Sequence, residues 1–166
     1  MVNVMLMITA ELENLTDLMP QEGCDDPNFP YYFKIKCSNC GELTQKETCI
    51  MLSETLPLPT GRGTTNLVQK CKFCGREGNV TMIPGRGRAL TLEDSEAGKY
   101  APLMVFDCRG LEPAEFSFGS GWKAESTSGT KFDNIDLSGG EFAEYCEKGE
   151  LPVMLSNLQS RFDVVK

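Results

Sequence analysis

The sequence contains no histidine. That absence removes the commonest general base, every Ser-His or Cys-His nucleophilic arrangement, and every metal site that needs imidazole. Any metal must be held by cysteine, carboxylate or backbone oxygen, and any catalysis must run on carboxylates, lysine, tyrosine, cysteine or the metal itself. Also lacking is any run of the roughly 18 consecutive apolar residues that a membrane-spanning helix requires, so no membrane association is expected. The opening residues Met1 to Leu15 have no basic start and no small-residue cleavage site, and they carry Glu11 and Glu13. This predicts a cytoplasmic or nuclear protein whose cysteines stay reduced. In such a compartment the glycosylation patterns at Asn14 and Asn79 carry no weight. Helical periodicity is scarce as well; its best instances are Gly140 to Lys148 and Pro152 to Arg161, which are read as two short helices.

What remains is a pattern of short extended runs. Val2, Val4, Leu6, Ile8, Ala10 and Leu12 alternate with more polar residues, the period of a half-buried strand. Tyr31, Phe33, Ile35 and Cys37 do the same and deliver Cys37 at a strand end. Further strands are expected at Thr48 to Leu52, Asn66 to Cys71, Asn79 to Ile83, Leu103 to Cys108 and Ala114 to Phe118, and a loop over Asp17 to Pro30. The reading is all-β. A chain of 166 residues, 40% of them apolar, is expected to form a single compact unit over 1–166. Within it a cysteine-rich β half, 1–95, and a second β half, 96–166, are marked off by the acidic, small-residue-rich stretch Leu92 to Gly98. Tyr31 to Cys37 has a rough counterpart in Leu103 to Cys108, which suggests that the halves resemble each other.

Two segments carry chemistry: Cys37-Ser38-Asn39-Cys40-Gly41-Glu42 and Cys71-Lys72-Phe73-Cys74-Gly75-Arg76, thirty residues apart. Two intervening residues let both sulfurs of such a knuckle reach one ion, and the following glycine supplies the positive φ of the tight turn. Two knuckles make a closed tetrahedron of thiolates with no open position for water, so one structural zinc on Cys37, Cys40, Cys71 and Cys74 is expected. A dithiol redox pair, which needs a helix starting after the motif, and an iron–sulfur centre, which usually has a different spacing, are the alternatives.

The other four cysteines, Cys24, Cys49, Cys108 and Cys146, are read as buried small hydrophobes or surface thiols, with thiol exchange or transient metal handling as the alternative. Gly61-Arg62-Gly63 and Gly85-Arg86-Gly87-Arg88 lack the lysine and hydroxyl of a phosphate loop and are read as turns. The acidic residues Asp133, Asp136, Glu141, Glu144 and Glu147 are read as a solvated face, and the single Trp122 as a packing residue. The net charge of −8 divides unevenly: residues 31–90 carry nine basic against four acidic side chains. Lys34, Lys36, Lys70, Lys72 and Arg76 flank the cysteines, where they offset the two net negative charges of a four-thiolate zinc centre; an anionic partner is the rival explanation.

These motifs resemble the eukaryotic CXXC-motif-containing zinc-binding protein family. The likeness runs through Ala10-Glu11-Leu12-Glu13-Asn14-Leu15-Thr16, both knuckles, Gly61-Arg62-Gly63-Thr64, Cys108-Arg109-Gly110-Leu111-Glu112-Pro113 and Phe132-Asp133-Asn134-Ile135-Asp136-Leu137. The resemblance implies two intertwined or paired antiparallel sheets of meander type, a zinc ion on the four knuckle cysteines, and no established reaction. The chain departs from the family pattern near its end, at Phe142, Glu144-Tyr145-Cys146-Glu147 and Pro152-Val153-Met154-Leu155. The expected function is accordingly that of a monomeric, non-enzymatic zinc-binding adaptor that engages another protein. A metal-trafficking or thiol-redox protein is the first alternative, and an RNA- or anion-binding module is disfavoured because the whole chain is acidic.

Overall fold

The computed structural model describes residues 2–59 and 61–165. Fourteen strands and one short helix are found there: β1 Val2–Glu13, β2 Leu15–Pro20, β3 Tyr31–Cys37, β4 Thr48–Ile50, β5 Leu56–Pro57, β6 Thr64–Thr65, β7 Leu67–Lys70 and β8 Glu77–Ile83, then α1 Leu92–Glu96, then β9 Ala101–Arg109, β10 Leu111–Ser117, β11 Trp122–Ser126, β12 Lys131–Ile135, β13 Phe142–Cys146 and β14 Leu151–Val164. All pairings are antiparallel. They make a six-stranded sheet in the order β13-β14-β1-β9-β8-β7, two three-stranded sheets, β10-β3-β4 and β12-β11-β2, and the hairpin β5-β6.

The architecture is one plan used twice. At one edge of the large sheet β7 lies on β8, with Leu67 opposite Val80 and Lys70 opposite Glu77. At the other edge β13 lies on β14, with Phe142 opposite Leu155 and Tyr145 opposite Pro152. In the small sheets β3 lies on β10, Cys37 opposite Leu111, and β11 lies on β2, Ser126 opposite Leu15. At the centre β1 pairs with β9, and each is followed by a residue of positive φ, Asn14 (56°) and Gly110 (76°), that turns the chain into the next strand. Strands β1, β2, β3, β4, β7 and β8 therefore have the same roles as β9 to β14. The copies are interleaved: β8 pairs with β9, β14 with β1, β3 with β10 and β11 with β2. The counterpart of β3 is thus β11, not the segment Leu103 to Cys108, whose counterpart is β1.

Alternation explains the core. Val4, Leu6, Ile8 and Ala10 of β1 are buried, as are Tyr31, Phe33 and Ile35 of β3, and Trp122 and Ala124 of β11, while in β9 Leu103 to Phe106 are buried in succession on both faces. Aromatic edges bind the sheets together: Phe33 meets Phe106 at 5.4 Å between ring centres, and Phe29 meets Trp122 at 5.5 Å, both nearly perpendicular.

Several local expectations change. The two segments read as helices are β13 and β14. In β14 an extra residue between the partners of Thr9 and Glu11, with Asn157 at φ 51°, breaks the alternation. Val153, Leu155, Leu158 and Phe162 then fall at intervals that imitate a helix. In β13, Phe142 and Cys146 lie four apart, a spacing common to both periods. Part of the expected loop Asp17 to Pro30 is strand β2, and the stretch read as a connection contains α1. Thr91 caps that helix through the backbone N–H of Asp94, while Asp94 accepts from the Thr91 N–H, a reciprocal capping box. Four strands, β5, β6, β11 and β12, had no expectation attached to them.

Trp122 is fully buried and donates its indole N–H to Phe118 O at 2.9 Å. Trp122→Ala removes a large side chain from the meeting point of the sheets and orphans that carbonyl, and a loss of about 3–5 kcal/mol is expected in denaturant unfolding.

Candidate metal centre

Strand β3 alternates buried and open residues to its last member, so Cys37 ends on the buried side while the chain turns out behind it. Gly41 N–H donates to Cys37 O, and Cys37 N–H donates to Glu42 O, both at 2.9 Å. The second knuckle follows β7 and repeats these bonds: Gly75 N–H donates to Cys71 O and Cys71 N–H to Arg76 O, again at 2.9 Å. Gly41 and Gly75 have φ of 80° and 77°, which a side chain would resist, so glycine at the fifth position of each knuckle is a requirement of the turn.

The matched turns bring all four sulfurs within 4.8 Å of one another. The nearest contacts run between knuckles: Cys37 to Cys74 and Cys40 to Cys71, each 3.6 Å. A tetrahedron with zinc–sulfur bonds of about 2.3 Å has edges of about 3.8 Å, so the cluster already has the size of the ion's coordination shell. Hydrogen bonds hold negative charge on two of the sulfurs. The Asn39 side chain, then the Arg76 N–H, draw the Cys74 thiol down to about 6, and the N–H groups of Cys74 and Phe73 lower Cys71. Four thiolates this close repel one another, and a divalent cation is what makes the arrangement favourable. Cys37, Cys40, Cys71 and Cys74 form one zinc site.

The thirty residues between the knuckles contain β4, the β5-β6 hairpin and β7. Asn66, which drew no attention in the sequence, ties them down: its Nδ2 donates to Met51 O and Glu54 O, and its Oδ1 accepts from Met82 N–H at 2.7 Å. Beside the centre lies a groove of about 480 Å³ lined by Leu43, Lys46, Lys70, Lys72, Phe73 and Arg76, among others. Phe73, between the two cysteines of the second knuckle, is 78% exposed. The first knuckle leads into extended chain and the second into β8, so neither is followed by the helix that a dithiol redox motif needs.

The remaining candidates fall elsewhere. Cys24 and Cys108 are buried, and burial pushes their thiols up to about 11 and about 12. Cys49 is exposed, and Cys146 is buried among hydroxyl groups. Arg88 makes two bonds to Asp94, at 2.6 and 3.2 Å, and Gly87 packs so closely that a Cβ there would lie 2.2 Å from Leu103 O; the Gly-Arg-Gly-Arg segment is a packed turn. Gly61-Arg62-Gly63 lies in the connection between β5 and β6. In the acidic stretch Asp133 accepts from Gln21 and Asp136 from Ser138, and among the described residues only the four knuckle cysteines gather as a metal-binding group.

Removing one ligand leaves three crowded thiolates and no closed shell. Cys37→Ser and Cys74→Ser are each expected to lose the ion and about 5 kcal/mol, roughly a 10–20 °C fall in melting temperature, read by metal analysis and calorimetry.

Residues 5–163 match the model of the family described as "CXXC motif containing zinc binding protein, eukaryotic". Proteins called CXXC motif containing zinc binding protein are 37% identical in Xenopus laevis, covering 98% of each chain, and 36% identical in Homo sapiens, covering 96% of each. The crystal structure of C1orf123 is similar with a TM-score of 0.86 and 35% identity, covering 98% of this chain and 99% of that one. A hypothetical protein from Plasmodium falciparum shares the fold with a TM-score of 0.81 at 22% identity, covering 98% and 100%. The family is named for metal binding and not for a reaction. With four cysteines at tetrahedral spacing and these likenesses over nearly its whole length, the chain belongs to the eukaryotic CXXC-motif-containing zinc-binding proteins.

Proposed function

We propose that the protein is a monomeric, non-enzymatic adaptor of the cytoplasm or nucleus, in which structural zinc holds a surface that engages another protein. The observation that carries this reading is Phe73. The ring is 78% exposed at the tip of a turn that is clamped on both sides by metal ligands. A rigid aromatic loses little freedom on binding, which is the property of an interface anchor. Leu43 adds apolar surface, while Lys46, Lys70, Lys72 and Arg76 give the groove a basic rim that favours an acidic protein surface. A closed four-thiolate shell has no place for substrate or water at the metal, which supports a role without catalysis.

A second reading, metal transfer, is favoured by the exposure of Cys40 and Cys74. Exchange with isotopically labelled zinc separates the two. An adaptor keeps its ion for as long as it stays folded, whereas a carrier exchanges it on the timescale of mixing.

Phe73→Ala is the direct test of the adaptor. Its zinc content and melting temperature should match the parent, while proteins crosslinked through this face in cells are lost; Tyr145→Ala, another exposed aromatic, serves as the control. Unchanged crosslinking in Phe73→Ala would remove the basis of the proposal.

A further inference from the structure

The zinc centre lies where the turn after β3 meets the turn after β7. Because the plan is used twice, the turn after β11 must meet the turn after β13 in the same way. The strand registers say which residues correspond. Leu15 and Leu111 both open their strands, after Asn14 and Gly110, and they lie opposite Ser126 and Cys37 respectively. Ser126 therefore stands where Cys37 stands. The β7-β8 and β13-β14 registers place Cys146 at the position of Cys71 and Gly149 at that of Cys74. The turn after β11 is one residue shorter than the first knuckle but closes alike: Gly129 N–H donates to Ser126 O at 2.9 Å, Ser126 N–H donates to Thr130 O at 2.7 Å, and Gly129 has φ of 94°. Gly129 thus answers Gly41, and Ser128 answers Cys40.

These four residues do converge. Ser126 Oγ and Ser128 Oγ are 2.8 Å apart, and Cys146 Sγ lies 3.5 Å from Ser128 Oγ and 3.7 Å from Ser126 Oγ. Gly149 N–H donates to the same sulfur at 3.4 Å. A Cβ built on Gly149 would lie 2.5 Å from Ser128 Oγ, 2.9 Å from Ser128 Cβ and 3.4 Å from Cys146 Sγ, so a side chain would leave Gly149 into the cluster, and the Ser128 turn must shift to admit it. Ser126 and Cys146 are almost wholly buried.

We infer that Ser126, Ser128, Cys146 and Gly149 form a second metal-site scaffold, the in-chain counterpart of the zinc centre, which accepts a thiophilic divalent cation such as zinc once thiolates replace its two hydroxyls and its glycine. The present donor set is one thiol, two neutral hydroxyls and a residue with no side chain, too poor in charge and softness to hold zinc, so the native chain carries one ion. Hydrogen bonds close the gap instead. Thr130, Ser128 and the Gly149 N–H surround the Cys146 sulfur and draw its thiol down to about 6. The inference rests on the zinc reading of the first centre only for the choice of cation; the equivalence itself rests on strand register.

The test is native mass spectrometry of protein refolded with zinc, with cobalt(II) absorption as a second readout of tetrahedral thiolate ligation. Three chains are compared: the parent, the graft Ser126→Cys/Ser128→Cys/Gly149→Cys, and the same graft with Cys146→Ala. A second graft inserts one residue between Thr127 and Ser128 to restore the spacing of the first knuckle. The parent should hold one zinc, at least one graft two, and the graft lacking Cys146 one. Grafts that fold with a single zinc, or that cannot fold with zinc present while the parent does, would overturn the inference. A parent with no zinc would instead contradict the reading of the first centre, and the gain of an ion by the graft over the parent would still be decisive for the second.

Discussion

One zinc ion bridges two sheets. Cys37 and Cys40 follow β3, a strand of the small sheet β10-β3-β4, whereas Cys71 and Cys74 follow β7, the edge of the six-stranded sheet. Each close sulfur pair has one member from either side. The ion therefore fixes how two layers meet at a rim where apolar packing thins out: of the four ligands only Cys37 is buried. Phe73 and the basic groove owe their position to this junction. Without the cation Cys40 is pushed up to about 12 and the four sulfurs do not all carry charge, so only weak sulfur–sulfur contacts are left to join the two layers.

The interleaving of the two copies sets a second constraint. The contact of β1 with β14 joins the two ends of the chain, Val4 opposite Val164, whereas β8 and β9, which pair in the equivalent way, are consecutive strands. Neither copy can complete its sheets without the other, and long-range pairing of this sort makes folding slow to start.

Much of this was legible in residues. Alternation located β1 and β3, and the spacing of cysteines and glycines located the metal site with the identity of its ligands. What escaped has physical reasons. The bulge at Asn157 gave β14 a helical rhythm, and a tetrad spacing in β13 fits either period. The Thr91 and Asp94 capping pair was present in the sequence, but with an acidic neighbourhood and only five helical residues it read as a linker. The repeat was hidden because its offset is not constant: Leu15 to Leu111, Cys37 to Ser126 and Cys71 to Cys146 are separated by different distances, since the connecting loops differ in length. Only pairing in three dimensions aligns them. Asn66 and Asn39 were invisible for a related reason, as an amide side chain declares its role only through its partners.

The central claim is that zinc and fold are one cooperative unit. It is tested most directly by mixing the zinc-loaded protein with excess strong chelator and following, in the same sample, metal release and the fluorescence of Trp122, the only tryptophan and fully buried. The account predicts a single rate, with the ion leaving as the tryptophan environment is lost. Rapid release of zinc from a protein whose tryptophan signal stays native would contradict it.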